Sequence, residues 1–425
     1  MNNHISNDTN NYIKITAFFS LLICGIVAGI NGLINPFIMF NTPALPGINE
    51  FYTECYYKQL LFKPYQLRDI QPRSIIIGAS HAGIAFNPDK LPQPAYNLAV
   101  GGASSYINFR LLQEAIGSND KLENVILETP FFSFNSDDPN NQPHQDAQFE
   151  GRLLHTSDMT INPSFIRHYF SDKLASLLSW ESLRASLRML GKQRDVGNKT
   201  RSSFIEKTNG QWLQQTTNTT TTWTLFENSW RKFLYDEWFP APQHRFTFSL
   251  KGAPINYYRQ SLKLLYARNI HTRIVIAPLH GSLLIALQEA GIGSDFDSWK
   301  AALVSINEEE AALAGKTAFA VYDYAIISAY TSQPLPEQHS STQRLSWFND
   351  SAHASPLLGD LIMREWQESL SVSGGMSLDN SNITQHLAQT TATLAEYRNS
   401  HPEIHQAIQQ LIKSAPADIH FPSRQ

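Results

Sequence analysis

The residues best suited to chemistry are a serine, a histidine and an aspartate that stand far apart in the chain. Ser80 follows the apolar run Ser74-Ile-Ile-Ile-Gly78, in Gly78-Ala79-Ser80-His81. A buried strand that ends at a glycine lets the backbone turn sharply. A serine just beyond it can hold its hydroxyl above the sheet edge, where open α/β sheets place their ligands. That hydroxyl is a weak nucleophile at neutral pH, so it needs a base within hydrogen-bond reach. Asp350 and His353, three residues apart in a polar loop, offer one. The carboxylate can fix the imidazole tautomer and stabilise the imidazolium formed when the base takes a proton. The nucleophile segment, GASHAG, differs from the G-x-S-x-G elbow by one residue.

Four more polar residues are expected where strand ends could meet a substrate: His81 beside the nucleophile, Asn97, His280 and Asp323. Asp323 closes the fifth strand and could compete with Asp350 for the imidazole. His401 and His405 have helical i, i+4 spacing in HPEIH, but Pro402 lies between them and a third ligand is lacking. They read as the start of a surface helix. No metal site and no cofactor are expected.

Strands are expected at residues 74–78, 95–100, 124–128, 272–277 and 318–322, from short apolar runs bounded by turn residues. Between them, Ser104 or Ser105 can cap a helix running to about Ile116, and a second helix covers about 255–268. After the Asp-x-x-His loop, Ser355 can cap a helix with Pro356 at its first position. Strand and helix alternating in this way predict a parallel α/β sheet. The rhythm breaks at about 134–253, read as a large, mainly helical insertion with one mobile segment at the threonine run Thr216 to Thr222.

Composition narrows the function classes. The chain has 425 residues, 42% of them hydrophobic and 16% charged, with a net charge of −4. That excludes a disordered polymer and argues against a nucleic-acid binder. Two cysteines, Cys24 and Cys55, cannot build a disulfide framework. Residues 15–34 read ITAFFSLLICGIVAGINGLI, uncharged and about the ~20 residues that span a bilayer. Only Lys14 precedes this run as a basic leader and no small-x-small site closes it, so an uncleaved anchor is expected rather than a signal peptide. The expected plan is a tail at 1–14, an anchor at 15–34, a connector at 35–73, a catalytic domain at 74–370 and a helical extension at 371–425.

The order of the blocks carries a resemblance. Ser80 after the first strand, Gly101-Gly102 after the second and Asp350-x-x-His353 before the last sheet-packing helix resemble the SGNH (GDSL-like) hydrolases over most of 74–370. The segments INPFIMFNTPALPGIN, YNLAVGGAS and WFNDSAHASPLLGDLIM are similar to membrane-anchored envelope members, in plan like the alginate O-acetyltransferase accessory proteins. The resemblance implies an SGNH/flavodoxin-like three-layer α/β sandwich and a Ser80-His353-Asp350 triad. It implies an oxyanion hole from the amides of Ser80 and of Gly101 or Gly102. The superfamily's third block normally adds an Asn side chain, whereas this chain reads Leu127-Glu128-Thr129-Pro130; Asn97 and Asn135 are the stand-ins considered. The function implied is an esterase or O-acyltransferase acting on an envelope glycan or other acyl ester. It would be held in the inner membrane with its catalytic domain on the periplasmic side, with a multi-span membrane acyltransferase as a partner. The alternative is an inactive scaffold or glycan-binding protein of the same fold.

Overall fold

The computed structural model describes residues 2–142, 146–194, 203–239, 246–337, 340–368 and 373–416, with Ile419 and Phe421; for residues 2–8 and Ser203 it describes the backbone alone. The apolar stretch expected at 15–34 is the latter part of a longer helix, α1 (Asn2–Ile34). Its portion Thr9–Ile34 is long and apolar enough to cross a membrane. At about 1.5 Å per residue its 26 residues extend about 39 Å, against a hydrocarbon layer of about 30 Å. After a connector comes α2 (Gln59–Ile70), which leads into the sheet.

In chain order the body then contains β1 (Ser74–Ile77), α3 (Ser80–Ala85), β2 (Ala95–Asn97), α4 (Ser105–Ser118) and β3 (Asn124–Glu128). The expected insertion follows, holding α5 (Ala147–Arg152), α6 (Phe165–Leu178), α7 (Trp180–Lys192), β4 (Ser203–Glu206), β5 (Trp212–Gln215) and α8 (Thr222–Lys232). The chain returns through α9 (Ala253–Ala267), β6 (His271–Ile276), α10 (Gly281–Glu289), α11 (Gly293–Ala314), β7 (Ala320–Asp323) and α12 (Pro356–Glu368). It ends with β8 (Met376–Leu378), α13 (Ile383–Ser400) and α14 (Pro402–Lys413).

The six-stranded sheet has the order β2-β1-β3-β6-β7-β8. Its first five strands are parallel and β8 runs antiparallel to β7. The parallel strands therefore wind in the doubly wound order 2-1-3-4-5, with the chain reversing its direction of travel between β1 and β3, where such sheets form their ligand crevice. Ile75, Ile76 and Ile77 are all fully buried, so both faces of β1 are covered, which is why this strand is apolar without alternation. α4, α9 and α11 pack in series, and α3 packs against α12.

Several expectations change. The second strand stops at Asn97 rather than Val100, because Leu98 and Val100 donate singly to the carbonyls of Ile76 and Gly78 and the chain then turns at Gly101-Gly102. The insertion is not only helical: β4 and β5 form an antiparallel hairpin. The threonine run leads directly into α8, whose first turn is capped by Thr221 Oγ1 accepting from the Thr224 amide. The helical extension holds two helices divided at Pro402, where a proline removes the amide that a continuous helix needs, and the second begins at the helix start expected around His401. The boundary expected at 370 lies outside the described residues. Side chains from both expected appendages, Phe226 and Trp230 of the insertion and Ile404, Ile408 and Leu411 of the C-terminal helices, join the core that holds the sheet.

Candidate active site

Ser80 is the first residue of α3, immediately after the β1 turn. The turn is tight because Glu128, at the end of neighbouring β3, reaches under it. Glu128 Oε2 accepts the Ala79 amide at 2.7 Å, and a Cβ on residue 78 would collide with that carboxylate, so only glycine fits there. As a first-turn residue, Ser80 has an amide that the helix cannot satisfy, and that amide has no partner among the described residues.

His353 comes from a loop that closes on itself. The Asn349 amide donates to the His353 carbonyl, the Ser355 amide to the Trp347 carbonyl, and Phe348 bridges Ala354. The His280 amide donates to the Ser351 carbonyl and pins the loop to the end of β6. The result is a continuous relay. His353 Nε2 lies 2.9 Å from Ser80 Oγ, and His353 Nδ1 lies 2.8 and 2.9 Å from the two oxygens of Asp350.

Comparisons of the chain with family models, with curated proteins and with solved structures give no match. The site must therefore be read from its own geometry.

Asp350 is buried and richly solvated by protein. Its Oδ1 accepts the amides of Ala352 and His353, and its Oδ2 accepts from Gln214 Nε2 at 3.2 Å. Burial alone would raise its pKa, but the His353 ring and these donors outweigh burial and hold the carboxyl below the usual range. An ionised Asp350 on Nδ1 directs the other ring nitrogen, Nε2, toward the serine as proton acceptor. Ser229 of α8 also leans on Oδ1 at 3.4 Å and accepts from Ser351 Oγ at 2.7 Å. Sequence reasoning missed Gln214 and Ser229, which lie in the insertion and carry no local signal of such a role.

Beside the triad stands a second imidazole–carboxylate pair. His81 Nδ1 lies 3.2 Å from Glu128 Oε1, while His81 Nε2 is buried with no partner among the described residues. The His81 ring centroid is 5.5 Å from that of His353, and Phe233 stacks over it at 6.3 Å. Phe233 opens a π-helical turn, Phe233–Glu237, that continues α8; such turns recur at functional sites. Glu128 was also missed as a participant. Its signal was legible: one acid ending an otherwise apolar strand.

The other expected residues are used differently. Gly101 donates its amide to Gln59 Oε1 at 2.9 Å, whereas the Gly102 amide has no partner among the described residues. Gly102 adopts φ +67°, a left-handed conformation suited to glycine. Asn97 is a structural clasp. Its Nδ2 donates to the carbonyls of Ala82 and Phe86, and its Oδ1 accepts the Ala99 amide. Asn135 turns its Oδ1 to the amides of Asp137 and Thr247, and no described contact joins it to Ser80 or His353. His280 is fully buried, accepting the Ser282 amide at Nδ1 and donating from Nε2 to the Gln333 carbonyl. Asp323 is held by Lys300 at 2.6 Å and His386 at 2.9 Å, so Asp350 is the carboxylate on the imidazole.

Ser80 and His353 each keep 9% of their surface exposed. A cleft of about 470 Å³ opens next to Gly102, with Tyr56, Gln59, Arg152 and Lys232 in its walls. A cavity of about 430 Å³ at the amino ends of β6 and β7, by His271 and Ala320, contains none of these groups.

Proposed function

We propose that the chain is a serine acyl-transfer enzyme of the SGNH type, working at a membrane on an acyl ester of an envelope glycan or glycolipid. The single observation that carries this reading is the unbroken relay from Asp350 through His353 to Ser80. The 2-1-3-4-5 order of the parallel strands and the position of Ser80 at their switch point support it.

In this reading Ser80 Oγ attacks the acyl carbonyl while its proton passes to His353 Nε2, and Asp350 stabilises the imidazolium. The amides of Ser80 and Gly102, neither with a partner among the described residues, are the proposed oxyanion donors, and one such donor is typically worth about 3 kcal/mol. The tetrahedral intermediate collapses by breaking the bond to the alcohol, which receives the proton from His353. Water or a sugar hydroxyl then attacks the acyl-serine as His353 takes its proton, and His353 returns that proton to Ser80 Oγ when the acyl–serine bond breaks. Water gives an esterase; a sugar hydroxyl gives an O-acyltransferase, for which a multi-span membrane protein is the proposed acyl donor. His81, oriented by Glu128, takes the place of the third-block Asn as a donor to the oxyanion. α1 is the anchor, with the body on the periplasmic side.

The test uses full-length protein in detergent, a serine-directed fluorophosphonate and a chromogenic acetyl ester. Wild type is expected to be labelled and to turn over; Ser80→Ala should lose the label and at least 10³-fold in kcat. Absence of both activities in folded wild type would favour the second reading, a non-catalytic scaffold of the same fold. The observation on that side is the near-complete cover over Ser80.

A further inference from the structure

The hairpin formed by α6 and α7 leaves an apolar stripe uncovered. On α6, Ile166, Phe170, Leu174 and Leu178 recur every four residues and are 41–65% exposed. On α7, Trp180, Leu187 and Leu190 continue the stripe, with Trp180 68% exposed at the tip. Seven large apolar side chains this exposed on one hairpin exceed the scattered single residues of an ordinary soluble surface. A helix surface of this kind has to be covered by something.

The cover is indicated by what the hairpin is fastened to. Asn31, the polar residue inside the apolar helix α1, is fully buried against it. Its Nδ2 donates to the Leu177 carbonyl at 2.8 Å, and its Oδ1 accepts from Ser186 Oγ at 2.9 Å, so one side chain ties α1 to both arms. Leu177 also packs close to Gly32. Below this, Ile34, Phe37, Ile38 and Met39 form a small core with Phe165, Ala185 and Met189. Lys173 donates to the Met39 carbonyl and lies over the Phe40 ring. The stripe is therefore held rigidly beside the last turns of the proposed anchor. An aromatic residue at the tip and the exposed bases Arg167 and Arg184 complete the pattern of an interfacial element.

We infer that α6 and α7 form a second membrane contact, a helical hairpin whose apolar stripe enters the lipid beside α1. This rests on α1 being a membrane anchor. One helix leaves a domain free to swivel; a hairpin embedded next to it fixes the body's tilt and its height above the bilayer. Substrates presented at the lipid surface would then meet the cleft in one orientation.

The test uses full-length protein with Cys24→Ser, in which the buried Cys55 stays in place as an unlabelled control. Single cysteines are introduced by Leu174→Cys, Leu178→Cys and Leu187→Cys on the hairpin, Leu22→Cys on the anchor and Leu313→Cys on α11. Each is labelled with an environment-sensitive nitrobenzoxadiazole probe. The proteins are placed in phosphatidylcholine–phosphatidylglycerol vesicles with or without brominated acyl chains. The expected result is blue-shifted emission and at least twofold bromine quenching at the three hairpin positions and at position 22, with position 313 unaffected. Hairpin probes that stay unquenched while position 22 is quenched overturn the inference and leave the anchor standing. A blue shift without quenching also overturns it, by showing a protein cover instead of lipid. Loss of quenching at position 22 as well removes the anchor reading, and the hairpin inference falls with it.

Discussion

At the scale of single residues, the pair His81–Glu128 is what distinguishes this site from a bare triad. Glu128 is almost wholly buried, with only the Ala79 amide and His81 as polar partners among the described residues. Glu128 Oε1 fixes the ring through Nδ1, and Nε2 is then the atom that the proposed mechanism uses as donor. His81→Phe keeps the ring stacked beneath Phe233 but removes the donor. The expected effect is a loss of about 10²–10³ in kcat with KM little changed. Glu128→Gln, which keeps a hydrogen-bonding partner for the ring, should give a smaller loss. Steady-state kcat and KM of wild type and both variants check this; unchanged kcat in His81→Phe would reduce His81 to packing. Ser80, Asp350 and His353 were legible in the sequence only as a set, through the block order that carries the resemblance, since a serine after a strand or an Asp-x-x-His loop alone is common. The fate of Asn97 was not. Nothing local reveals that its amide would be spent on the carbonyls of Ala82 and Phe86.

At the scale of elements, the parallel strands and the helices flanking them followed from apolar runs and caps, while β4, β5 and β8 did not. The two hairpin strands are four residues each, half of them polar, in a region dominated by helices, and β8 has three residues at a sheet edge. Strands of three or four residues are too short for an alternation of apolar and polar positions to stand out. Yet the insertion matters to the site, since β5 and α8 bring Gln214 and Ser229 to Asp350. Gln214→Ala should lower kcat about tenfold through a less firmly held His353, with fluorophosphonate labelling slowed in proportion and KM unchanged.

The junction of β6 and α10 makes a separate prediction. Burial pulls the His280 pKa down from 6.5 to about 4, overcoming the opposing hydrogen bond to Gln333. A base whose pKa falls on folding binds fewer protons in the native state than when unfolded. Its contribution is intact above pH 6.5 and is lost as the pH drops from 6.5 to about 4, by about 3 kcal/mol. His280→Asn retains an oxygen to cap α10 but has no titration there, so urea-unfolding free energies measured across that range should show a shallower slope than wild type. Equal slopes would assign the acid sensitivity elsewhere.

At the scale of the whole molecule, the C-terminal segment is bound to the sheet by a buried ionic cluster. Lys300 of α11 and His386 of α13 both contact Asp323 Oδ2 at the end of β7, and Lys300 also donates to the Ala325 carbonyl. Burial would raise the Asp323 pKa, but the two basic partners outweigh it and the carboxyl stays below its ordinary range. A depressed acid of this kind stabilises above its unfolded pKa and loses that contribution as pH falls through the folded value. Asp323→Ala leaves the Lys300 ammonium buried without its counter-charge, which should cost about 3–5 kcal/mol in urea unfolding. Replacing both members, Lys300→Met with Asp323→Leu, should recover most of that loss, because the desolvated charges leave together. At temperatures where Asp323→Ala is still folded, Ser80 should react with fluorophosphonate at close to the wild-type rate, since Asp350 alone serves the imidazole. A variant that keeps its stability but loses Ser80 reactivity would instead make Asp323 part of the site, acting through the sheet end that both loops share.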